Sequence, residues 1–572
     1  MRRLWGAFVV VNVVSFAVLG FVGRKIYTQA PPVPAEVVTP SGAVVLPAGS
    51  IEAGQSVWQS MGGMEVGSVW GHGGYVAPDW TADWLHRELI FVLNELSQSE
   101  LKLPYDKLDA DRQALLRSRV ERMFRENTYD QSSGRLVIDP LRAKAFESNF
   151  SHYSDVFSNG KPEYAIPAGA LTDSAKLRQL SGFFFWSAWA AAAQRPGSTY
   201  SYTNNWPHEP LIGNRPTGAA VVWSGVSFIL LLAGIAGMVS LYAGKGYGAA
   251  KSTAPATDPM LSLQPTASQR AVLAYFGVAA GLILAQIGVG VLTAHYGVEG
   301  QGFYGIPLAK WLPYVVTRTW HVQLGLFWIA TTWLAAGLFI GPIVAGKEPK
   351  GQSLGVWVLL GALVVIVVGS LLGEWASVFH KLSGDSWFYW GHQGYEYVDL
   401  GRVWQAGLFA GLLIWLALVA RCAVPALFGK GNDKQLLLLF VVSAIAIAGF
   451  YGAGLMWGAH THLSIVEYWR WWVVHLWVEG FFEVFATVVI AFLFARMGLV
   501  DPDSAARAAL MVSTVYLAGG IIGTLHHLYF SGTPSAALAF GAVFSALEVV
   551  PLVLMGYEAW DHVHVGRAAP WM

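Results

Sequence analysis

Apolar residues gather along most of the chain in runs of about 20, the length that crosses roughly 30 Å of hydrocarbon. About ten such runs stand out, centred near Ser15, Leu231, Leu282, Ile329, Val364, Leu412, Ile445, Phe482, Leu517 and Val543. The first, Leu4 to Val22 behind Arg2 and Arg3, predicts a retained membrane anchor over 1–23. A signal peptide is the other reading, but Gly23 to Pro32 offers no clean small-x-small cleavage pattern. Residues 24–216 are polar enough to fold outside the bilayer, with charged helical patterns from Asp79 to Glu100 and from Asp109 to Glu126. The run from Phe183 to Ala193 is too short to span and predicts a core or interfacial helix. Residues 217–558 then form a bundle of membrane helices, and 559–572 a polar tail. Neither an inverted internal repeat nor a low-complexity tract is visible.

Composition agrees. Of 572 residues, 54% are hydrophobic, 14% aromatic and only 13% charged, with mean hydropathy +0.46. Soluble domains carry roughly a quarter charged residues, so neither a disordered chain nor an ordinary soluble enzyme fits. Lys+Arg and Asp+Glu both total 36. No basic field remains to neutralise phosphates, which argues against a nucleic-acid partner. A single cysteine, Cys422, excludes a disulfide framework, a Cys-rich zinc site, an iron–sulfur cluster and c-type haem attachment.

Basic residues set the expected orientation. Arg2, Arg3, Lys245, Lys251, Lys347, Lys350, Arg421, Lys430, Lys434 and Arg496 fall in loops of one parity, expected to be cytoplasmic. Arg318, Lys381, Arg402 and Arg470 lie on the opposite side. Residues 24–216 are then extracytoplasmic and the C-terminus cytoplasmic.

Ionisable groups at membrane depth are costly and usually functional. His321, His475, His526 and His527 all lie toward the external ends of their spans. His475, Glu479 and Glu483 are spaced by four and share a helix face. His526 and His527 are adjacent, about 100° apart on an α-helix, so both can converge on one metal with His475 from a facing helix. Three imidazoles plus the Glu479 carboxylate suit a non-haem iron with an open position. Polar helix faces lining a water path are the other reading of the same residues.

Trp472 to Phe485 (W-V-V-H-L-W-V-E-G-F-F-E-V-F), followed by Gly523-Thr-Leu-His-His527, resembles the haem–copper oxidase superfamily, most closely its quinol-dependent nitric oxide reductases. The resemblance extends to about Tyr557. It takes in Gly54-Gln-Ser-Val-Trp, Trp70-Gly-His-Gly-Gly-Tyr75, Asp79-Trp-Thr-Ala-Asp-Trp-Leu-His-Arg-Glu88 and Tyr202-Thr-Asn-Asn-Trp-Pro-His-Glu-Pro210. Further motifs are Ala294-His-Tyr-Gly-Val-Glu-Gly-Gln-Gly-Phe-Tyr304 and Trp390-Gly-His-Gln-Gly-Tyr-Glu-Tyr-Val-Asp-Leu-Gly-Arg402.

The resemblance implies an all-α membrane bundle with a fused, haem-free, cytochrome-c-like outer domain. It implies that His475, His526 and His527 hold non-haem iron with Glu479 as a further ligand. His321 would be an axial ligand of low-spin haem b, with Arg318 near haem propionates and a high-spin haem b3 beside the iron. Glu396, Tyr75 and a backbone carbonyl near Gly73 match a calcium site, and Glu483 and Glu548 match proton-handling acids. Many oxygen reductases carry a tyrosine four residues after the metal-binding histidine. Glu479 stands there instead, which fits coupling of two nitric oxide molecules to nitrous oxide and water.

With no CxxCH to attach haem c, cytochrome c is not the expected donor; a lipid-soluble quinol is, with His295 and Glu299 as its matching pair. An imidazole and a carboxylate so spaced are able to accept a quinol's protons. A bacterial-type cytoplasmic membrane, lipid contact and a homodimer complete the expectations.

One departure matters. The family continues with about four more spans, one carrying the His-x-His that ligates haem b3, whereas this sequence ends at Met572. His562-Val-His564, in the polar tail, and His460-Thr-His462, in an outer loop, do not fit that role. The expectation is a truncated sequence. A second polypeptide supplying the helices, or a non-catalytic fragment, is the alternative; nitric oxide dismutation and oxygen reduction are the rival reactions.

Overall fold

A computed structural model describes residues 1–72, 76–245, 255–429, 434–550 and 553. Its first helix, α1 (Arg2–Gln29), runs past the expected anchor boundary at 23, through Arg24 and Lys25. The outer domain follows with α2 (Ser50–Ser60), α3 (Trp80–Leu101), α4 (Ala110–Arg125), α5 (Pro140–Asn159) and α6 (Ser174–Ala192). Aspartates start four of these helices by accepting orphan backbone N–H groups: Asp79 from Ala82, Asp109 from Arg112, Asp139 from Leu141 and Asp173 from Ala175. The two charged helices expected from the sequence are α3 and α4. The short apolar run lies in α6, which is buried and forms the domain's core.

Aromatic rings fill that core. Trp84 stacks on Tyr153 at 5.4 Å and Trp80 on Phe184 at 5.2 Å. A buried Arg142–Glu88 ion pair, 2.7 Å long, closes one side. The domain departs from an all-helical description by a small sheet of four strands, ordered β2-β1-β4-β3. These are β1 (Glu36–Val38), β2 (Val44–Leu46), β3 (Tyr129–Asp130) and β4 (Arg135–Val137). With two or three residues each, they are too short for alternation to register in the sequence.

The membrane portion comprises α7 (Gly218–Lys245), α8 (Ala267–Glu299), α9 (Tyr314–Ala345), α10 (Gln352–Val378), the short outer α11 (Ser386–Trp390), α12 (Arg402–Phe428) and α13 (Lys434–Tyr451). One continuous span then joins α14 (Leu463–Trp471), a π-helical stretch (Trp472–Phe482) and α15 (Glu483–Arg496). After it come α16 (Pro502–Gly523), a 3₁₀ turn (Thr524–Leu528) and α17 (Ser535–Leu547). Among the described residues, nine helices are long and apolar enough to cross a bilayer. Of the tenth expected run, α17 falls among the described residues; residues 551–552 and 554–572, which hold the expected end of the bundle at 558 and the tail, lie outside them.

The domain built from α2 to α6 sits on one end of the bundle through buried polar ties. Gln59 Nε2 donates to the Gln393 carbonyl at 2.9 Å and the Met64 amide to the Gly394 carbonyl at 3.0 Å. Arg318, at the start of α9, reaches Glu65 at 2.7 Å.

Candidate metal centre

The continuous span changes pitch where the chemistry lies. From Trp472 to Phe482 it widens to π geometry, an arrangement frequently found at functional sites. His475 points from this stretch toward α16, where its Nε2–H donates to the Gly520 carbonyl at 2.9 Å. A carbonyl accepts only, so this bond puts the proton on Nε2 and leaves the Nδ1 lone pair exposed. Nδ1 faces His527 Nε2 at 3.3 Å and Glu479 Oε2 at 3.0 Å.

His526 and His527 lie not on the α-helix but in the 3₁₀ turn that ends it. Three residues per turn widens their separation from the expected 100° to about 120°. The three imidazoles still converge: their ligand atoms lie within 4.8 Å of one another. Ligands about 2.1 Å from one ion stand roughly 3–3.4 Å apart, and the His475–His527 pair already has that spacing. With the proton on Nε2, lone pairs on His475 and the Glu479 carboxylate face one another, and either a proton or a metal ion between them relieves the contact. The donor set of imidazole nitrogen and carboxylate oxygen therefore fits the implied iron.

Glu548 follows α17 and approaches His475 Nε2 to 3.8 Å. It does so because Gly523 lacks a side chain: a Cβ there would lie 2.1 Å from Glu548 Oε1. Glu483 does not join the cluster. It starts α15 one turn further on, exposed and beside the Tyr516 side chain. The Tyr516 hydroxyl donates its proton to the Glu479 carbonyl at 2.5 Å, so a phenol from α16 reaches the backbone of the π-helical stretch.

The other expected residues divide. His321 stands apart from the cluster, and its Nδ1 lies 3.0 Å from the Gln286 carbonyl. That bond leaves Nε2 as the nitrogen able to meet a haem iron, so the residue fits the implied axial role. His295 and Glu299 do meet, 3.2 Å apart in the last turns of α8, with Phe303 and Tyr304 rings against the imidazole. Glu396 is engaged by Arg318 at 2.5 Å, so a calcium ion there would share its carboxylate with a guanidinium. Gly73 and Tyr75, the other residues of that set, lie outside the described residues, as do His562 and His564. His462 caps α14 by accepting the Ser464 amide, a structural role that agrees with setting His460-Thr-His462 aside.

Outside the membrane spans, burial holds the Glu65 carboxyl well above the usual range despite the opposing Arg318 charge. Burial likewise lowers His72, which reaches the Ser531 hydroxyl at 3.3 Å.

Three supporting residues escape a search for ligands. Glu467 and Arg470 form a buried ion pair of 3.1 Å inside the span, and Trp471 lies on His527. Their signal is an acid and a base three apart within an apolar run.

Fold and site together define a multi-pass helical membrane protein with a histidine-rich centre beneath a small outer domain. Residues 270–570, just over half the chain, match the model of the cytochrome c and quinol oxidase polypeptide I family, and the chain belongs to that family. Residues 34–208 match the NorB cytochrome c-like domain of nitric oxide reductases. A curated relative, the NorB polypeptide of nitric oxide reductase from Stutzerimonas stutzeri, is 26% identical over 317 residues, 54% of this chain and 62% of the relative. The chain therefore spans about six-tenths of that relative's length. These matches bear out the resemblance to nitric oxide reductases of the haem–copper oxidase superfamily, whose membership points to haem and iron as cofactors.

Proposed function

We propose that the chain is the catalytic polypeptide of a quinol-dependent nitric oxide reductase, converting two NO, two electrons and two protons to N2O and water. The observation that carries this reading is the convergence of His475, His526 and His527, with the Glu479 carboxylate 3.0 Å from His475. His321 would hold low-spin haem b, with haem b3 beside the non-haem iron. The metals would supply electron transfer and a place for nitric oxide to bind. The chain's own residues orient that centre and move protons, Glu479 beside it and Glu548 and Glu483 behind it. His295 and Glu299, under two aromatic rings, receive the protons of the quinol. Orientation follows the basic loops, with the outer domain on the external face.

The test is the complete gene product, purified in detergent. Metal analysis and a reduced-minus-oxidised spectrum should give b haem and non-haem iron, and reduced quinol should drive nitric oxide consumption. Glu479→Gln should abolish consumption while keeping the low-spin haem spectrum. A chain with no haem, or a variant with full activity, overturns the reading; oxygen consumption in place of nitric oxide consumption transfers it to the oxygen reductases.

A further inference from the structure

The segment just after the histidine pair is held residue by residue from the outer domain. Asn204 Nδ2 donates to the Tyr529 carbonyl at 2.7 Å, and Trp206 stacks on Phe530 at 5.0 Å. His72 meets Ser531 at 3.3 Å. Arg195 then reaches two successive carbonyls, Gly532 at 2.9 Å and Thr533 at 3.0 Å, and Tyr200 reaches Ser535 at 3.5 Å. Gly532 is the one residue type that fits: φ is +74°, and a Cβ would lie 2.5 Å from Ser464 Oγ and 2.7 Å from Pro31.

Arg195 is the hub. The same guanidinium donates to Gln29 at the end of α1 and to Tyr202, both at 2.6 Å. It is 8% exposed, and among the described residues no carboxylate lies within ion-pair distance of it. Burial without an acid pushes its pKa down to about 10. A buried cation with no carboxylate partner is costly; here its hydrogen bonds, all to carbonyls, join α1, the outer domain and the loop leaving His527, while its Nε–H stays unpartnered.

We infer that Arg195 is a positioning residue for the metal centre: it fixes the exit of the 3₁₀ turn bearing His526 and His527, so that the outer domain serves as a clamp on two of the three imidazoles. Partners that orient metal-binding histidines typically carry about 10- to 100-fold in metal affinity. This inference rests on the metal-centre reading.

The experiment is retention of non-haem iron by the full chain in detergent against graded chelator, for wild type, Arg195→Lys, Asn204→Ala and the remote outer-domain variant Arg178→Ala. A lysine supplies one ammonium and is unable to span carbonyls from three segments. We expect Arg195→Lys and Asn204→Ala to lose half their iron at about tenfold lower chelator with melting temperatures equal to that of Arg178→Ala, which should retain iron like wild type. Should Arg195→Lys fail to fold, Asn204→Ala decides. Wild-type retention in the folded variants overturns the clamp. A wild-type chain without non-haem iron overturns the metal centre itself.

Discussion

The indole of Trp471 lies flat on the imidazole of His527, ring centroids 3.6 Å apart and planes within 2°. Its Nε1–H is anchored on Glu467 Oε2 at 3.1 Å, and the Arg470 guanidinium stands over it at 4.6 Å. The stack fixes the plane of one candidate ligand while the 3₁₀ turn fixes its backbone.

Replacing Trp471 by Leu should therefore loosen His527 without removing a ligand. Aromatic pairs contribute about 0.5–1.5 kcal/mol beyond burial, up to roughly tenfold in iron retention. Trp471→Phe, which keeps a flat face but loses the N–H, should fall between. Iron per chain after dialysis against chelator is the measurement, and equal retention in all three forms refutes the role.

Glu467 and Arg470 are both essentially buried, with side-chain exposures of 2% and 3%. Removing one partner of a buried pair leaves an uncompensated charge and costs about 3–5 kcal/mol. Arg470 also donates to the Glu396 carbonyl at 3.0 Å, so its loss strips two elements of a tie. Arg470→Met should lower the melting temperature sharply, and the double change Arg470→Met/Glu467→Gln should recover part of the loss. A double variant no better than the single one refutes charge pairing as the cause.

Arg318 serves two carboxylates, Glu65 at 2.7 Å and Glu396 at 2.5 Å, one from the outer domain and one from the loop before α12. Arg318→Gln should destabilise the chain by about 3–5 kcal/mol and raise protease sensitivity of the outer domain relative to the bundle. Adding Glu65→Gln should restore melting temperature partially. Limited proteolysis and melting curves in detergent read both effects.

Membrane runs and candidate ligands were legible because hydrocarbon demands long apolar helices and tolerates few ionisable groups. His475, His526 and His527 stood out against that background. What stayed hidden depends on local pitch and on distant contacts. The i+4 spacing of His475, Glu479 and Glu483 carries no sign that the helix widens to π geometry, nor that Glu483 turns to Tyr516. The adjacency of His526 and His527 does not reveal the 3₁₀ turn. Arg195 reads as one more outer-domain arginine, since its carbonyl partners at Gln29, Gly532 and Thr533 leave no mark in side-chain chemistry.

His392 gives a pH signature. It is fully buried in the loop that carries Glu396, accepts the Gly394 amide at Nδ1 (2.9 Å) and donates from Nε2 to Thr319 (2.9 Å). Asp399 Oδ1 lies 3.8 Å away, but burial raises that carboxyl well above its ordinary range. Burial pushes the imidazole from 6.5 down to about 3. Between those values the unfolded chain binds a proton that the folded chain refuses, so stability rises with pH there and is lost as pH falls below about 6.5. The stability difference between wild type and His392→Asn should be constant above about pH 7 and shrink by about 2 kcal/mol by pH 5, at roughly 1.4 kcal/mol per unit. Denaturant melts of both forms at pH 5, 6, 7 and 8 measure it. A difference that stays level across that range means the imidazole titrates in the fold as it does in the unfolded chain, and the neutral hydrogen-bonded loop is then wrong.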